Sequence, residues 1–273
     1  MGNAKVILGA YVPGSSWLHH LDPRVKLFSC FWYVVIVFLA SNWLGYLWLF
    51  IVLGALIALS RLPLKLYWRG IKPLFWIILF TVAIQLLFSS GGHVYWQWGW
   101  LAITSGGFYQ SAIILARFIL IITISTVLTA TTPTLQLAAA MEAFMKPLRY
   151  LHVPVNQIAD MLMIVLRFIP TIMDETTKVM NAQKSRGVNF DEGSLIERAK
   201  RLEPLLIPLF VGSFKRAEEL ATAMEARGYD PDAPRTKYRV LHWHRNDTLA
   251  MIGLTLATII LLATRLMSAG MLF

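Results

Sequence analysis

Apolar residues run almost unbroken over Leu27–Ala40, Trp43–Ser60, Leu74–Phe88, Gln110–Ala130 and Leu249–Ala263. Extended into its flanks, each run approaches the roughly 20 residues that a membrane-spanning helix needs. Only Ser41 and Asn42 separate the first two, which predicts a tight helical hairpin. Residues 131–245 have a different texture, with charges interleaved among apolar positions at helical spacing. Three helices are predicted there: Thr134 to about Tyr150, about Val155 to Arg186, and about Ser194 to Arg227. Proline removes a backbone donor and kinks a helix, so Pro170 should interrupt the second, and Pro204 and Pro208 the third. The two longer helices each begin apolar and end polar. Met161–Ile172 is nearly all apolar apart from Arg167, and Asp174–Gly187 is polar; Leu205–Val211 is apolar, and Lys215–Gly228 is polar with Ala and Met spaced through it. The pattern predicts an all-α polytopic membrane protein with about five transmembrane helices and a long helical cytoplasmic region. Residues 1–130 hold four of the spans, residues 131–245 the cytoplasmic helices, and residues 246–273 the last span.

Composition strengthens this picture. Of 273 residues, 57% are hydrophobic and only 15% charged, too apolar for a soluble chain of this length. The net charge of +10 would suggest nucleic acid in a soluble protein, but here it reads as positive-inside flanks. Lys5, Arg24 and Lys26 precede the first run, and Arg61, Lys65, Arg69 and Lys72 lie between the second and third. The first and third connections carry neither Lys nor Arg. The expected topology therefore has a cytoplasmic N-terminus and an external C-terminus in the cell membrane. Thr131–Arg245 contains 13 of the 15 acidic residues and 16 of the 25 Lys and Arg, a mixture that suits a folded region better than a basic tail. Cys30 is the only cysteine, so no intrachain disulfide or cysteine-based metal site is expected. Neither a cleavable signal nor myristoylation is expected before Asp22.

Two helix ends share one form. Ser185-Arg186-Gly187 closes the second cytoplasmic helix and Ala226-Arg227-Gly228 the third. Glycine just past a helix end takes the left-handed conformation that other residues avoid. The preceding Arg then stands where a cation suits the helix dipole. Two such ends could offer guanidinium forks to acidic grooves on a soluble partner, as a mechanical linkage to a motor domain would need. Seven of the 11 methionines fall in the same segment (Met141, Met145, Met161, Met163, Met173, Met180 and Met224), as core filler or as an adaptable contact surface. Arg117 lies inside the fourth run, where a structural pairing is expected in preference to a transport role. Phosphate-binding, metalloprotease and nucleophile-elbow motifs are absent. His19-His20 and His242-x-His244 lack acidic or cysteine companions and read as membrane-flanking polar residues. No cofactor is expected, and the chain does not read as an enzyme.

The residues resemble a known family. Ile7–Leu27, with its Leu21-Asp22-Pro23-Arg24 core, is similar to the N-terminal region of the transmembrane T component of energy-coupling factor (ECF) transporters. So are Thr131-Thr132-Pro133, Leu166-Arg167-Phe168-Ile169-Pro170 and the paired x-Arg-Gly ends, where Ser185 departs from the more usual Ala. The resemblance covers essentially the whole chain. It implies a scaffold in which Ser185, Arg186, Gly187, Ala226, Arg227 and Gly228 bind two ABC-type ATPase subunits, which hydrolyse the ATP. It further implies that the coupling helices cradle a substrate-binding integral membrane subunit. Met161, Leu162, Val165, Phe168, Leu205, Leu206, Leu209 and Phe210 are the residues expected to contact it. That subunit would topple in the bilayer to release a vitamin or a metal ion, and the Tyr11–Ser16 stretch suggests a module shared among exchangeable subunits. The rival readings are a conventional ABC permease domain lining its own path and a membrane-embedded enzyme. The first would usually carry one main coupling helix per domain, the second a polar cluster at membrane depth.

Overall fold

The computed structural model describes residues 11–89, 91–98, 101–190, 192, 194–230 and 242–270; Lys5 and the Ile7–Ala10 part of the N-terminal motif fall outside them. In chain order the elements are α1 (Pro23–Leu39), α2 (Trp43–Ser60), α3 (Leu64–Ile71), α4 (Phe75–Phe88), β1 (Val94–Trp98), β2 (Leu101–Thr104), α5 (Ser105–Thr131), α6 (Thr134–Met145), α7 (Val155–Ser185), α8 (Leu195–Arg201), α9 (Glu203–Ala226) and α10 (Arg245–Gly270). The described residues of 11–144 and 242–270 form one compact unit and those of 145–230 a second.

Among the described residues, five helical segments are long and apolar enough to cross a membrane: Trp43–Ser60, Leu64–Phe88, Ser105–Thr131, Val155–Ser185 and Arg245–Leu266. Four coincide with runs expected from the sequence. The fifth is α7, whose length and apolar first half qualify it by composition, whereas α1 has only 17 residues. The second half of α7 carries Asp174, Glu175, Lys178 and Lys184.

Where the elements differ from expectation, proline and glycine explain most of it. The first cytoplasmic helix ends at Met145 and tightens into a 3₁₀ turn, Lys146–Leu151, around Pro147. The third breaks at Leu202, which places Pro204 in the first turn of α9, where its missing N–H leaves no helix bond unmade. Pro170 and Pro208 stay inside continuous helices. Two elements were not anticipated. The basic connection after α2 folds into α3, where Gly70 permits a close approach to α5: a Cβ there would lie 2.7 Å from Thr126 Oγ1. The Trp- and Gly-rich connection contains the antiparallel hairpin β1–β2. Two strands alone are marginal, and Thr104 ties this hairpin down. Its hydroxyl donates to Ser89 O and accepts from Gly107 N, capping α5.

The core of the first unit joins α1, α2, α5 and α10 through Tyr33, Ile36, Val37, Leu49, Leu53, Leu120 and Leu261. Between helices in lipid the drive comes from packing and interhelical hydrogen bonds. Tyr33 Oη donates to Leu49 O at 2.9 Å, Trp32 Nε1 to Thr258 Oγ1 at 3.0 Å, and Trp48 Nε1 to Ala257 O at 3.2 Å. Arg117 donates to Tyr46 Oη at 2.9 Å and lies 4.9 Å from the Phe38 ring centroid, so it pins α5 to α1 and α2.

At one end of this bundle the family-like motifs converge. Asp22 caps α1 by accepting from Arg24 N, with Pro23 in the first turn. Asp247, 0% exposed in the first turn of α10, accepts from Asp22 N and from His244 N, both at 2.7 Å. Lys26, also buried, donates to His19 O and to Thr131 O. His19 is held locally, between Ser16 Oγ and Val12 O. Replacing Asp247 by Ala strands one buried and one part-buried backbone donor and should cost about 2–4 kcal/mol. Asp247→Asn, which keeps one acceptor oxygen, should cost less. Thermal unfolding in detergent, followed by dye labelling of the half-buried Cys30 thiol, will show this order of midpoints; a wild-type midpoint for Asp247→Ala would rule it out.

Candidate functional site

The second unit is built on α7 and α9, and both end in the same way. Gly187 N donates to Lys184 O and Val188 N to Gln183 O; Gly228 N donates to Glu225 O and Tyr229 N to Met224 O. Each pair of bonds is a Schellman cap, with glycine at the left-handed position, φ 89° at Gly187 and 72° at Gly228. A Cβ on either glycine would meet nothing within 4 Å. Backbone conformation, not crowding, is what demands glycine there. Arg186 (φ −85°, ψ 5°) and Arg227 (φ −92°, ψ 7°) hold equivalent capping positions. Ser185, Arg186, Gly187, Ala226, Arg227 and Gly228 are all exposed. Ser185, the residue out of pattern, turns its hydroxyl back to Asn181 O.

The two helices run in opposite senses. Gln183, near the end of α7, donates to Pro204 O at the start of α9, while Glu175, two turns earlier, meets Arg216. Arg216 Nη2 donates to Glu175 Oε2 at 2.6 Å, and its guanidinium sits 6.0 Å from the centroid of the Phe168 ring. Gly212 lies beneath the same carboxylate: a Cβ there would come within 3.1 Å of Glu175 Oε1. Arg186 and Arg227 therefore lie at opposite ends of the pair, not side by side.

The apolar halves leave much hydrocarbon uncovered within their own unit. Met161, Val165, Leu206 and Phe210 are exposed; Leu162, Phe168 and Leu209 are half-buried; Leu205 is buried. Of the seven methionines in the segment, Met141, Met161, Met163 and Met173 are exposed. Exposure also extends past the predicted residues to Ile207, Val211 and Phe214. Phe210 and Phe214 are 5.0 Å apart between ring centroids. Leu206, Phe210 and Phe214 recur every fourth residue, a helical stripe whose signal in the sequence is that spacing. The Glu175–Arg216 pair, 41 residues apart in sequence, had no such signal. Among the described residues, no group of three or more His, Cys, Asp or Glu side chains could hold a metal ion.

Several span-length apolar helices in an all-helical chain define a multi-pass membrane protein. The chain belongs to the CbiQ family, described as cobalt transport protein, whose model matches residues 14–238. It is 58% identical over 265 residues to the energy-coupling factor transporter transmembrane protein EcfT of Limosilactobacillus fermentum, covering 97% of this chain and 99% of that protein. The protein of the same description from Lacticaseibacillus paracasei is 53% identical over 261 residues, covering 96% and 99% of the two chains. That from Streptococcus equi is 51% identical over 248 residues, covering 91% and 92%.

Since no side chain would clash, Gly187→Ala and Gly228→Ala should cost only the left-handed conformation, about 1–2 kcal/mol locally. Asn, which tolerates that conformation, should cost less. Amide exchange at Gly187–Val188 and Gly228–Tyr229 in the glycine protein against the two variants measures this; unchanged exchange in the Ala variants would contradict it.

Proposed function

We propose that this chain is the scaffold that couples ATP hydrolysis by two separate ABC-type ATPase subunits to movement of a substrate-binding membrane subunit in vitamin or metal-ion uptake. The observation that carries this reading is the pair of equivalent Schellman caps, each with an exposed Arg, at opposite ends of α7 and α9. Two like ends facing away from each other suit two like partners. An Arg fork entering an acidic groove gives a joint of fixed direction. The apolar stretch from Met161 to Phe168 and the exposed stripe Leu206–Phe210–Phe214 support contact with the third partner, and flexible methionines suit exchange among several such partners. In this reading α7 to α9 lie on the cytoplasmic side, the N-terminus is cytoplasmic, the C-terminus is external, and the cargo is chosen by the partner.

A second reading, a permease domain lining its own path, draws on α7, whose length and composition would let it cross a membrane. An impermeant thiol reagent applied to Asp174→Cys in a Cys30→Ala background discriminates. Labelling from the cytoplasmic side, and masking of Met161→Cys and Phe210→Cys only when the substrate-binding subunit is present, supports the scaffold; labelling of Asp174→Cys from outside refutes it.

Arg186→Ala and Arg227→Ala should each weaken ATPase attachment by about 2–5 kcal/mol, since each strands a carboxylate in its groove. The double variant should lose the ATPases on co-purification. Normal co-purification together with normal uptake would defeat the proposal.

A further inference from the structure

Besides the Gln183–Pro204 hydrogen bond, α7 and α9 are joined by one charged pair. Glu175 Oε2 accepts from Arg216 Nη2 at 2.6 Å, the Phe168 ring lies near the same guanidinium, and Gly212 leaves room for the other carboxylate oxygen. Both groups are about one-third exposed, so as a source of stability the pair is weak. Its position is more informative. Arg186 follows Glu175 by 11 residues, and Arg227 follows Arg216 by 11. At 1.5 Å per residue each arm is about 16 Å long. Eleven residues make close to three full turns, so each capping Arg leaves its helix within about 20° of the paired charge. Because the helices run in opposite senses, the arms extend to either side of the pair.

We propose that Glu175 and Arg216 form the pivot of an equal-armed lever, with both acting as positioning residues that fix where α7 and α9 cross and hence the span between Arg186 and Arg227. The role of Gly212 is to admit the Glu175 carboxylate at that crossing. The proposal rests on the two-socket reading for its function, but the span itself belongs to this chain and is measurable without partners. An approach of the two sockets on ATP binding then turns both arms about one fixed point. The apolar stretches beside the crossing, Met161–Phe168 and Leu206–Phe210, move with it.

The test places spin labels at Lys184→Cys and Glu225→Cys, both exposed and each two residues before a capping Arg, in a Cys30→Ala background of the full chain in detergent. The inter-label distance distribution should broaden in Glu175→Gln and in Gly212→Leu. It should narrow again in the exchanged pair Glu175→Arg with Arg216→Glu. In vesicles carrying the assembled transporter, Glu175→Gln should lower uptake per ATP hydrolysed about tenfold while the ATPases still co-purify. An unchanged distribution in both single variants overturns the pivot. So does an exchanged pair that unfolds at the wild-type midpoint yet stays broad. If instead Arg186→Ala with Arg227→Ala leaves ATPase attachment intact, the socket reading fails while the distance result for the pivot still stands.

Discussion

The membrane unit depends on one buried carboxylate. A helix begins with backbone N–H groups that have no partner inside the helix, and in a poorly hydrated environment each must find one. Asp247 satisfies two of these at once, His244 N before its own helix and Asp22 N before α1. Asp22 in turn caps α1, and Lys26, one turn into α1, reaches the last carbonyl of α5. Three helices far apart in sequence thus start or stop at one place. The recognisable Leu21-Asp22-Pro23-Arg24 and Thr131-Thr132-Pro133 stretches are the two ends of that junction. Their chemistry is that of helix termini, so their first duty is architectural.

The second unit solves the opposite problem. Its helix ends face water, and the unmatched groups are carbonyls, which the Schellman turns at Gly187 and Gly228 satisfy from the chain itself. That leaves the Arg side chains uncommitted to their own helix and free to meet something else. In a soluble helix such an Arg would be an ordinary solvated cap. The antiparallel arrangement gives the pair its meaning, since it separates two identical ends by as much as about 30 Å along the helices.

Much of this was legible in the sequence because it follows local rules. The hydropathy runs gave four of the five span-length helices, and the Arg-Gly pairs gave both caps down to the residue. What escaped was set by tertiary context. Helix α3 reads as a charged linker because Lys65 and Arg69 alternate with apolar residues over only two turns. The hairpin is held by Thr104 and Ser89, a contact without a sequence signature. The third helix divides at Leu202 because Pro204 sits in a first helical turn and does not kink a continuous helix. Leu205 belongs to an apolar run yet is buried, while Phe214, beyond that run, is exposed. The opposite senses of α7 and α9 were invisible, because parallel and antiparallel pairs share the same apolar-to-polar gradient.

These features divide the labour between two kinds of surface. A guanidinium fork is planar and its hydrogen bonds are directional, so a joint made through Arg186 or Arg227 is defined in angle as well as in strength. Met161, Met163 and Met173 offer the reverse: flexible, polarisable side chains that conform to different surfaces with little penalty. In the proposed scaffold, one kind of motor drives several cargo-binding partners, which calls for stiff joints on the motor side and soft ones on the cargo side. The Glu175–Arg216 pair lies between them in sequence on both helices. The stiff and soft halves of each helix therefore meet at this pair, and in the proposed lever a displacement applied at one half is carried through it to the other.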